Sequence, residues 1–142
     1  MAANDFVLAY QPNLTGLMSV KNTDGANDLV AGDMCKLDTA NPISATNAFI
    51  CVVRAGATGD KCVFPVLDNI PKTKTGRVAC APGSVVRVVA GAAITLGDPL
   101  MCTTVGQVIA QTAALPQVGY ALSSAAGISD QILMLFAPAK NA

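Results

Sequence analysis

The sequence predicts an all-β protein, and three observations support this fold class. Short apolar runs rich in Val and Ile recur at close intervals between Gly, Pro, Asn, Asp and Thr, which is typical of many-stranded sandwiches and barrels. Helical periodicity is weak along the whole chain. Apolar residues make up 52% of the chain and charged residues 13%, which excludes intrinsic disorder. We therefore expect a single β-sandwich or barrel domain over residues 21–142, after an extended N-terminal arm over residues 1–20.

Nine strands are predicted within the domain, and the turns between them contain residues that favour chain reversal. Residues 56–60 contain two glycines, residues 82–83 are Pro-Gly, and residues 104–106 fit a short hairpin loop. Only residues 121–128 fit a helical turn, and their Ser pair and Gly127 argue against it. The predicted strands are residues 34–37, 49–54, 61–67, 77–81, 85–90, 99–102, 107–111, 117–122 and 131–136.

A weak internal repeat divides the domain into two similar halves. Residues 29–33 (LVAGD) align with residues 94–98 (ITLGD), sixty-five positions later. Because Asp33 and Asp98 each follow a Gly, we expect both carboxylates to stabilise turns through hydrogen bonds to the backbone. Either one sandwich or barrel contains two related halves, or the likeness reflects common turn residues. The halves span about residues 28–67 and 93–136, and the downstream match pairs residues 49–54 and 62–67 with residues 117–122 and 132–136.

The first twenty residues differ from the rest of the chain. Residues 6–10 (FVLAY) form an apolar run, and residues 11–16 (QPNLTG) are rich in turn-forming residues. The run is either an edge strand that closes the sheet or an arm that reaches a neighbouring subunit and is held only on assembly. The sequence leaves both interpretations open.

The charge balance excludes several classes of partner. Nine Lys and Arg balance nine Asp, so the clustered excess of cations that is typical of a nucleic-acid binder is missing. No window approaches the roughly 20 apolar residues of a membrane-spanning helix, and the first residues do not resemble a signal peptide, so we expect a soluble protein without membrane contact. A chain this apolar and charge-poor is expected to cover part of its surface with another protein.

The five cysteines are expected to be reduced and structural. They are dispersed, they form no C-x-x-C pair, and the chain has no His to complete a zinc site, so we expect neither a metal nor a cofactor. Each Cys shares its strand phase with apolar residues, so the thiols should point inward. The opposite phase is occupied by cations, namely Lys36, Arg54, Lys61 and Arg77. The cysteines are Cys35, Cys51, Cys62, Cys80 and Cys102.

Catalytic motifs are missing from the sequence. It contains no P-loop, no dinucleotide-binding glycine motif and no G-x-S-x-G element, and a Ser or Cys nucleophile would have no His as its base. We therefore predict that the protein is not an enzyme. The one cationic cluster, residues 71–77, contains Lys72, Lys74 and Arg77 and is either a solvated hairpin tip or a contact for an acidic or phosphate-bearing surface.

Four segments of the C-terminal third occur in a recognisable order. An apolar strand leads into residues 90–98 (AGAAITLGD), followed by residues 106–110 (GQVIA), residues 118–122 (VGYAL) and the closing strand at 132–136. This ordered set resembles the small capsid decoration (cement) proteins of tailed bacteriophages. The first half of the chain matches that family only through the internal repeat. The resemblance implies a β-clip-like or β-tulip-like domain that forms trimers on the outside of the phage head.

The resemblance further implies a structural protein of the virion that binds the outer capsid surface, after assembly in the host cytoplasm, and stabilises the shell. Its partners would be the major capsid protein and itself, as a homotrimer with a ring-closing interface, with no nucleic acid and no membrane. A small β-clip-like ligand-binding domain is the alternative, and a shell-forming capsid subunit is disfavoured by the short chain. One face of the C-terminal strands and the arm would make the contacts, and the candidate contact residues are Phe6, Val7, Leu8, Tyr10, Pro12, Leu14, Leu17, Lys72, Lys74 and Arg77.

Overall fold

The computed structural model describes residues 16–57, 60, 63–112 and 115–139. These residues form ten strands and no helix, in two five-stranded sheets with a sandwich-like arrangement, so the all-β prediction is confirmed. The strands are β1 (Leu17–Asn22), β2 (Met34–Leu37), β3 (Cys51–Arg54), β4 (Val63–Pro65), β5 (Thr75–Ala79), β6 (Val85–Val89), β7 (Pro99–Cys102), β8 (Val108–Ala110), β9 (Gln117–Ala121) and β10 (Gln131–Ala139).

The first sheet contains the N-terminal five strands in the order β4-β2-β3-β1-β5. β1 pairs antiparallel with β5, where Met18 lies opposite Val78, and parallel with β3, where Lys21 lies opposite Cys51. β2 pairs antiparallel with both β3 and β4. An isolated bridge between Val66 and Val78 connects the end of β4 to β5, so the sheet curls back on itself.

The second sheet repeats this arrangement with the C-terminal five strands, in the order β6-β10-β9-β7-β8. Its ladders are antiparallel, and a parallel bridge between Ala90 and Val108 connects β6 to β8. Because the bridge joins β4 to β5, the strands of the first sheet can be followed around the curl from β1, in the order β1-β5-β4-β2-β3. The corresponding order in the second sheet, starting from β6, is β6-β10-β9-β7-β8. The parallel contact falls at the same place in both, between the first and third strands of the set.

The Gly-Asp turns that precede β2 and β7 have the same geometry. Asp33 and Asp98 each accept a hydrogen bond from the backbone N–H three residues earlier, at 3.0 and 2.9 Å. Gly32 and Gly97 adopt φ values of 99° and 89°, which a side chain would strain. The turn role that the sequence predicts for both carboxylates is therefore confirmed.

The downstream part of the repeat differs from its sequence alignment. The sequence matches residues 49–54, which contain β3, to residues 117–122, which contain β9. The strand order instead makes β8 the counterpart of β3, and β9 the counterpart of β4. Short apolar strands between Gly-rich turns resemble one another in sequence, so composition alone aligns the wrong pair.

The structure also differs from the sequence analysis at residues 17–20, which belong to β1 rather than to the arm. Met18 and Val20 alternate with Ser19 and Lys21, and Val20 is 1% exposed, so this short run has the two-residue period of a half-buried strand. The run is easily missed because the polar residues that follow it resemble a loop.

Two hydrophobic clusters form the core. The smaller lies within the first sheet. The larger combines the second sheet with Met34, Val63 and Ala79 of the first, so it also holds the two sheets together. A backbone hydrogen bond of 2.7 Å from Met34 N to Gly106 O crosses the same boundary. The largest fully buried side chains include Phe136, Leu29, Met34, Ile70, Leu100 and Ile132.

Candidate interaction surfaces

The structure describes four of the ten predicted contact residues. Leu17 begins β1 opposite Ala79, and its side chain is about half exposed. Lys72 and Lys74 lie in the exposed loop before β5, and Arg77 lies within β5. Phe6, Val7, Leu8, Tyr10, Pro12 and Leu14 lie outside the described residues.

Arg77 forms an ion pair within the molecule. Its Nε and a terminal nitrogen each donate a hydrogen bond of 3.0 Å to the two carboxylate oxygens of Asp68. These bonds hold the pKa of Asp68 below its usual range and raise the pKa of Arg77. The bidentate pair fixes the guanidinium plane and compensates its charge, so the cationic cluster presents less free charge than its sequence indicates.

Lys72 and Lys74 are the exposed remainder of that cluster. The backbone N–H of Lys72 donates to Asp28 at 2.9 Å, which holds the loop against the turn before β2. Lys72 also borders a shallow polar hollow of about 360 Å³, together with Lys21 and Asp24. Because Lys and Asp side chains both border this hollow, we expect no strong preference for an anionic or a cationic ligand.

Three of the five cysteines are buried as predicted. Cys35, Cys51 and Cys102 are buried, and burial raises the pKa of the Cys35 thiol to about 12, so that thiol stays protonated at neutral pH. Cys80 is only half-buried, because it follows the last residue of β5 at the border of a groove between the sheets. Cys62 lies outside the described residues.

The aspartates stabilise loops far more widely than the sequence indicates. Each aspartate that the structure describes accepts at least one hydrogen bond from a backbone N–H. Asp60 and Asp130 each accept two such bonds within their turns. Sequence reasoning assigned this role only to Asp33 and Asp98, and of the other described aspartates only Asp60 follows a Gly. These residues are Asp24, Asp28, Asp33, Asp38, Asp60, Asp68, Asp98 and Asp130.

The outer surface of the second sheet carries apolar side chains across neighbouring strands. Tyr120 of β9 lies opposite Leu135 of β10, and Leu122 follows two residues after Tyr120 on the same side. Tyr120 and Leu122 are 41% and 40% exposed. We call these three residues the second-sheet face. It belongs to the C-terminal strands that the sequence analysis expects to make contacts.

A second apolar surface lies at the end of the first sheet where β1 begins. There a hollow of about 570 Å³ opens to solvent, and the carboxylate of Asp38 on its border is already bonded to the side chains of Thr23 and Asn41. The hollow therefore offers little unsatisfied polar chemistry to a ligand. We call its apolar lining the apolar mouth, which consists of Met18, Leu37, Pro42, Ile43, Ile50 and Phe64.

A groove of about 480 Å³ runs between the two sheets. Phe64 and Cys80 line it from the first sheet, and Val118 and Phe136 line it from the second. Since Phe64 also belongs to the apolar mouth, the two hollows share a wall. Both are lined mostly by apolar side chains, which suits contact with protein better than binding of a polar metabolite.

Two further findings concern the described part of the chain. No group of three or more Cys or Asp side chains in it could hold a metal ion. It also contains no helix long and apolar enough to cross a bilayer.

The described residues thus define a two-sheet, all-β protein with apolar surfaces and with aspartates that accept hydrogen bonds from the backbone. No protein-family profile matches the sequence, and no curated protein matches it. A solved structure with a similar fold is the head fiber gp8.5 N base in bacteriophage phi29. The two have a TM-score of 0.64 and 16% sequence identity, over 89% of this chain and 98% of that chain. At this identity the similarity concerns the fold.

Proposed function

We propose that the protein is a structural component of a tailed-bacteriophage head and acts as a decoration (cement) protein on the outer capsid surface. It performs this task by binding, not by catalysis. The observation that carries the proposal is the fold similarity to a phage head fiber base, because it extends over nearly the whole of both chains. The resemblance of the C-terminal segments to phage decoration proteins supports the same class of function from the sequence.

The exposed chemistry supports a binding role. The second-sheet face combines a Tyr with Leu side chains, and aromatic residues are enriched among the energetically dominant contacts of protein interfaces. The eight described aspartates are used in loop hydrogen bonds, and the buried Cys35 thiol is held protonated. These carboxylates thus have structural partners, and the Cys35 thiol is shielded from solvent.

The proposed partners are the major capsid protein and further copies of this chain. A ring-closing homotrimer would place the same face of three copies on the shell, so that several weak contacts act together. Such multivalent attachment does not require a large interface per copy. We propose the second-sheet face as the surface that meets the capsid, since it is continuous across two strands and apolar.

The proposal is tested by mixing the purified protein with expanded, undecorated phage heads and measuring bound protein by sedimentation and cryo-electron microscopy. We expect saturable added density on the outer surface. Light scattering coupled to size-exclusion chromatography should give the mass of a trimer. Failure to bind heads would contradict the capsid role, and a monomer at micromolar concentration would contradict the trimer.

A pair of variants locates the contact. Leu122→Asn changes the second-sheet face, and we expect about tenfold weaker binding to heads. Val105→Asn is the control, because Val105 is similarly exposed but lies in the turn between β7 and β8. Equal binding by both variants would show that this face does not meet the capsid.

A further inference from the structure

Arg87 lies at the border of the second-sheet face. It belongs to β6 and lies directly opposite Leu133 of β10. On the other side of β10, Leu122 N donates a hydrogen bond of 2.8 Å to Leu133 O. Since paired residues project from the same side of a sheet, Arg87, Leu133 and Leu122 form one row across it. The neighbouring row contains Leu135 and Tyr120, so the cation lies beside the apolar side chains of this face.

The side chain of Arg87 is partly buried against this apolar row. Leu133 is only 6% exposed, which requires cover from its neighbours, and Arg87 and Leu122 are the two residues that flank it in the row. Arginine covers apolar surface with its aliphatic stem while its charged head stays in water. The guanidinium of Arg87 is therefore held at the surface of an apolar patch.

The charge of Arg87 is not compensated within the described part of the chain. The ion pairs found there join other residues, and the guanidinium of Arg87 has no hydrogen-bond partner among the described residues. Residues 83–139 contain two other charged side chains, Asp98 and Asp130. Both carboxylates accept hydrogen bonds from backbone N–H groups of their own turns. A guanidinium with five N–H donors thus remains available to a partner.

We propose that Arg87 pairs with a carboxylate of the capsid surface, set among apolar side chains that cover the second-sheet face. This inference rests on the proposed function. Covering the face without a counter-charge would remove water from the guanidinium and leave it unpaired, which is unfavourable. An Asp or Glu side chain of the partner compensates the charge, and the planar fork of Arg87 fixes its orientation by two parallel hydrogen bonds.

The charge of the face also favours a protein partner over a nucleic acid. Binding to a phosphate backbone takes several clustered cations, and the rows around the second-sheet face contain Arg87 alone. A single charge within an apolar surface is typical of the centre of a protein interface, where Arg is enriched. The pair therefore sets the register of the contact, while the apolar side chains contribute buried area.

The test measures the binding of variants to expanded, undecorated heads by sedimentation. Arg87→Met keeps an unbranched apolar stem beside Leu133 but removes the charge, and we expect about thirtyfold weaker binding. Arg87→Lys keeps the charge without the planar fork and should bind with intermediate affinity. Lys74→Met is the matched control, because it removes an exposed cation from the loop before β5 of the first sheet and should bind as the wild-type protein does.

The outcomes separate this pairing from the capsid role itself. Equal binding of the wild-type protein and Arg87→Met overturns the pairing and leaves the capsid role standing, whereas heads that bind neither protein overturn both. Binding of the wild-type protein to double-stranded DNA that is lost in Arg87→Met would assign Arg87 to phosphate and overturn a carboxylate partner. Urea denaturation checks the fold of each variant, and Arg87→Gln is a second variant without the charge should Arg87→Met unfold.

Discussion

Gly119 shows how tightly one position of the second sheet is packed. It lies in β9 between Leu100 of β7 and Phe136 of β10. A Cβ atom built at this position would be 2.2 Å from Leu135 O and 2.8 Å from Met134 Cγ. Because the nearest atom belongs to the backbone of a paired strand, no side-chain rotation can make room for a methyl group.

We therefore expect Gly119→Ala to lower the free energy of unfolding by about 2–3 kcal/mol, as forced overpacking does. The measurement is urea denaturation followed by circular dichroism. Gly127→Ala is the control, since a Cβ there meets nothing within 4 Å. Equal midpoints for the two variants would show that the sheet relaxes around the added methyl group.

At the scale of elements, the two Gly-Asp turns determine where β2 and β7 begin. In each turn the carboxylate closes the loop onto a backbone N–H three residues earlier, and the Gly supplies a positive φ. In each turn the next backbone N–H donates to a side chain far along the chain, from Ala31 to Asn69 and from Leu96 to Ser124, both at 3.0 Å. Only the Gly-Asp part of each turn is local, and it is this part that makes the two five-residue segments recognisable in the sequence.

A substitution in the second turn tests this dependence. Asp98→Ala removes the acceptor for Thr95 N and should lower the free energy of unfolding by about 1 kcal/mol. Asp98→Asn keeps a carbonyl oxygen in the same place and should recover most of that loss. Thermal unfolding of the two variants separates the outcomes. Equal losses would mean that the charge, not the hydrogen bond, stabilises the turn.

At the scale of the whole molecule, the carboxylates make stability depend on pH. Burial of Asp24 opposes its ionisation, but several hydrogen bonds outweigh this and lower its pKa. The pKa of Asp38 is lowered chiefly by the Thr23 hydroxyl, and that of Asp68 by Arg77. Asp33 differs, because its burial raises its pKa.

A carboxyl whose pKa is lower in the folded chain stabilises the fold above its unfolded value, here about 3.8, and loses that contribution as the pH falls below it. We expect the free energy of unfolding to decrease on acidification below about pH 4. Asp38→Asn should make this decrease shallower. Asp33→Asn should make it steeper, since a raised pKa contributes in the opposite direction. Urea denaturation between pH 2 and 6 measures both slopes, and parallel curves for the three proteins would contradict the assignment.

The sequence was most informative where structure depends on neighbours along the chain. The strands at residues 34–37 and 99–102 match β2 and β7 at both ends, and the Gly-Asp turns form as predicted. Residues 17–20 of β1 were assigned to the arm, because the short alternating run resembles its polar surroundings. Arg77 was expected at a solvated hairpin tip or in contact with an acidic or phosphate-bearing surface, and its ion pair with Asp68 is recognisable only once β5 has been placed.

Strand class, turn positions and the apolar character of the surface were therefore determined by the amino-acid sequence itself, since local alternation and turn chemistry need no distant partner. The tertiary structure alone decided that β1 lies between β3 and β5, that Tyr120 meets Leu135, and that residues from four separate segments form the apolar mouth. Those arrangements depend on pairing between residues far apart in the chain. Many pairings bury similar apolar area, and only the packing of the complete fold selects among them.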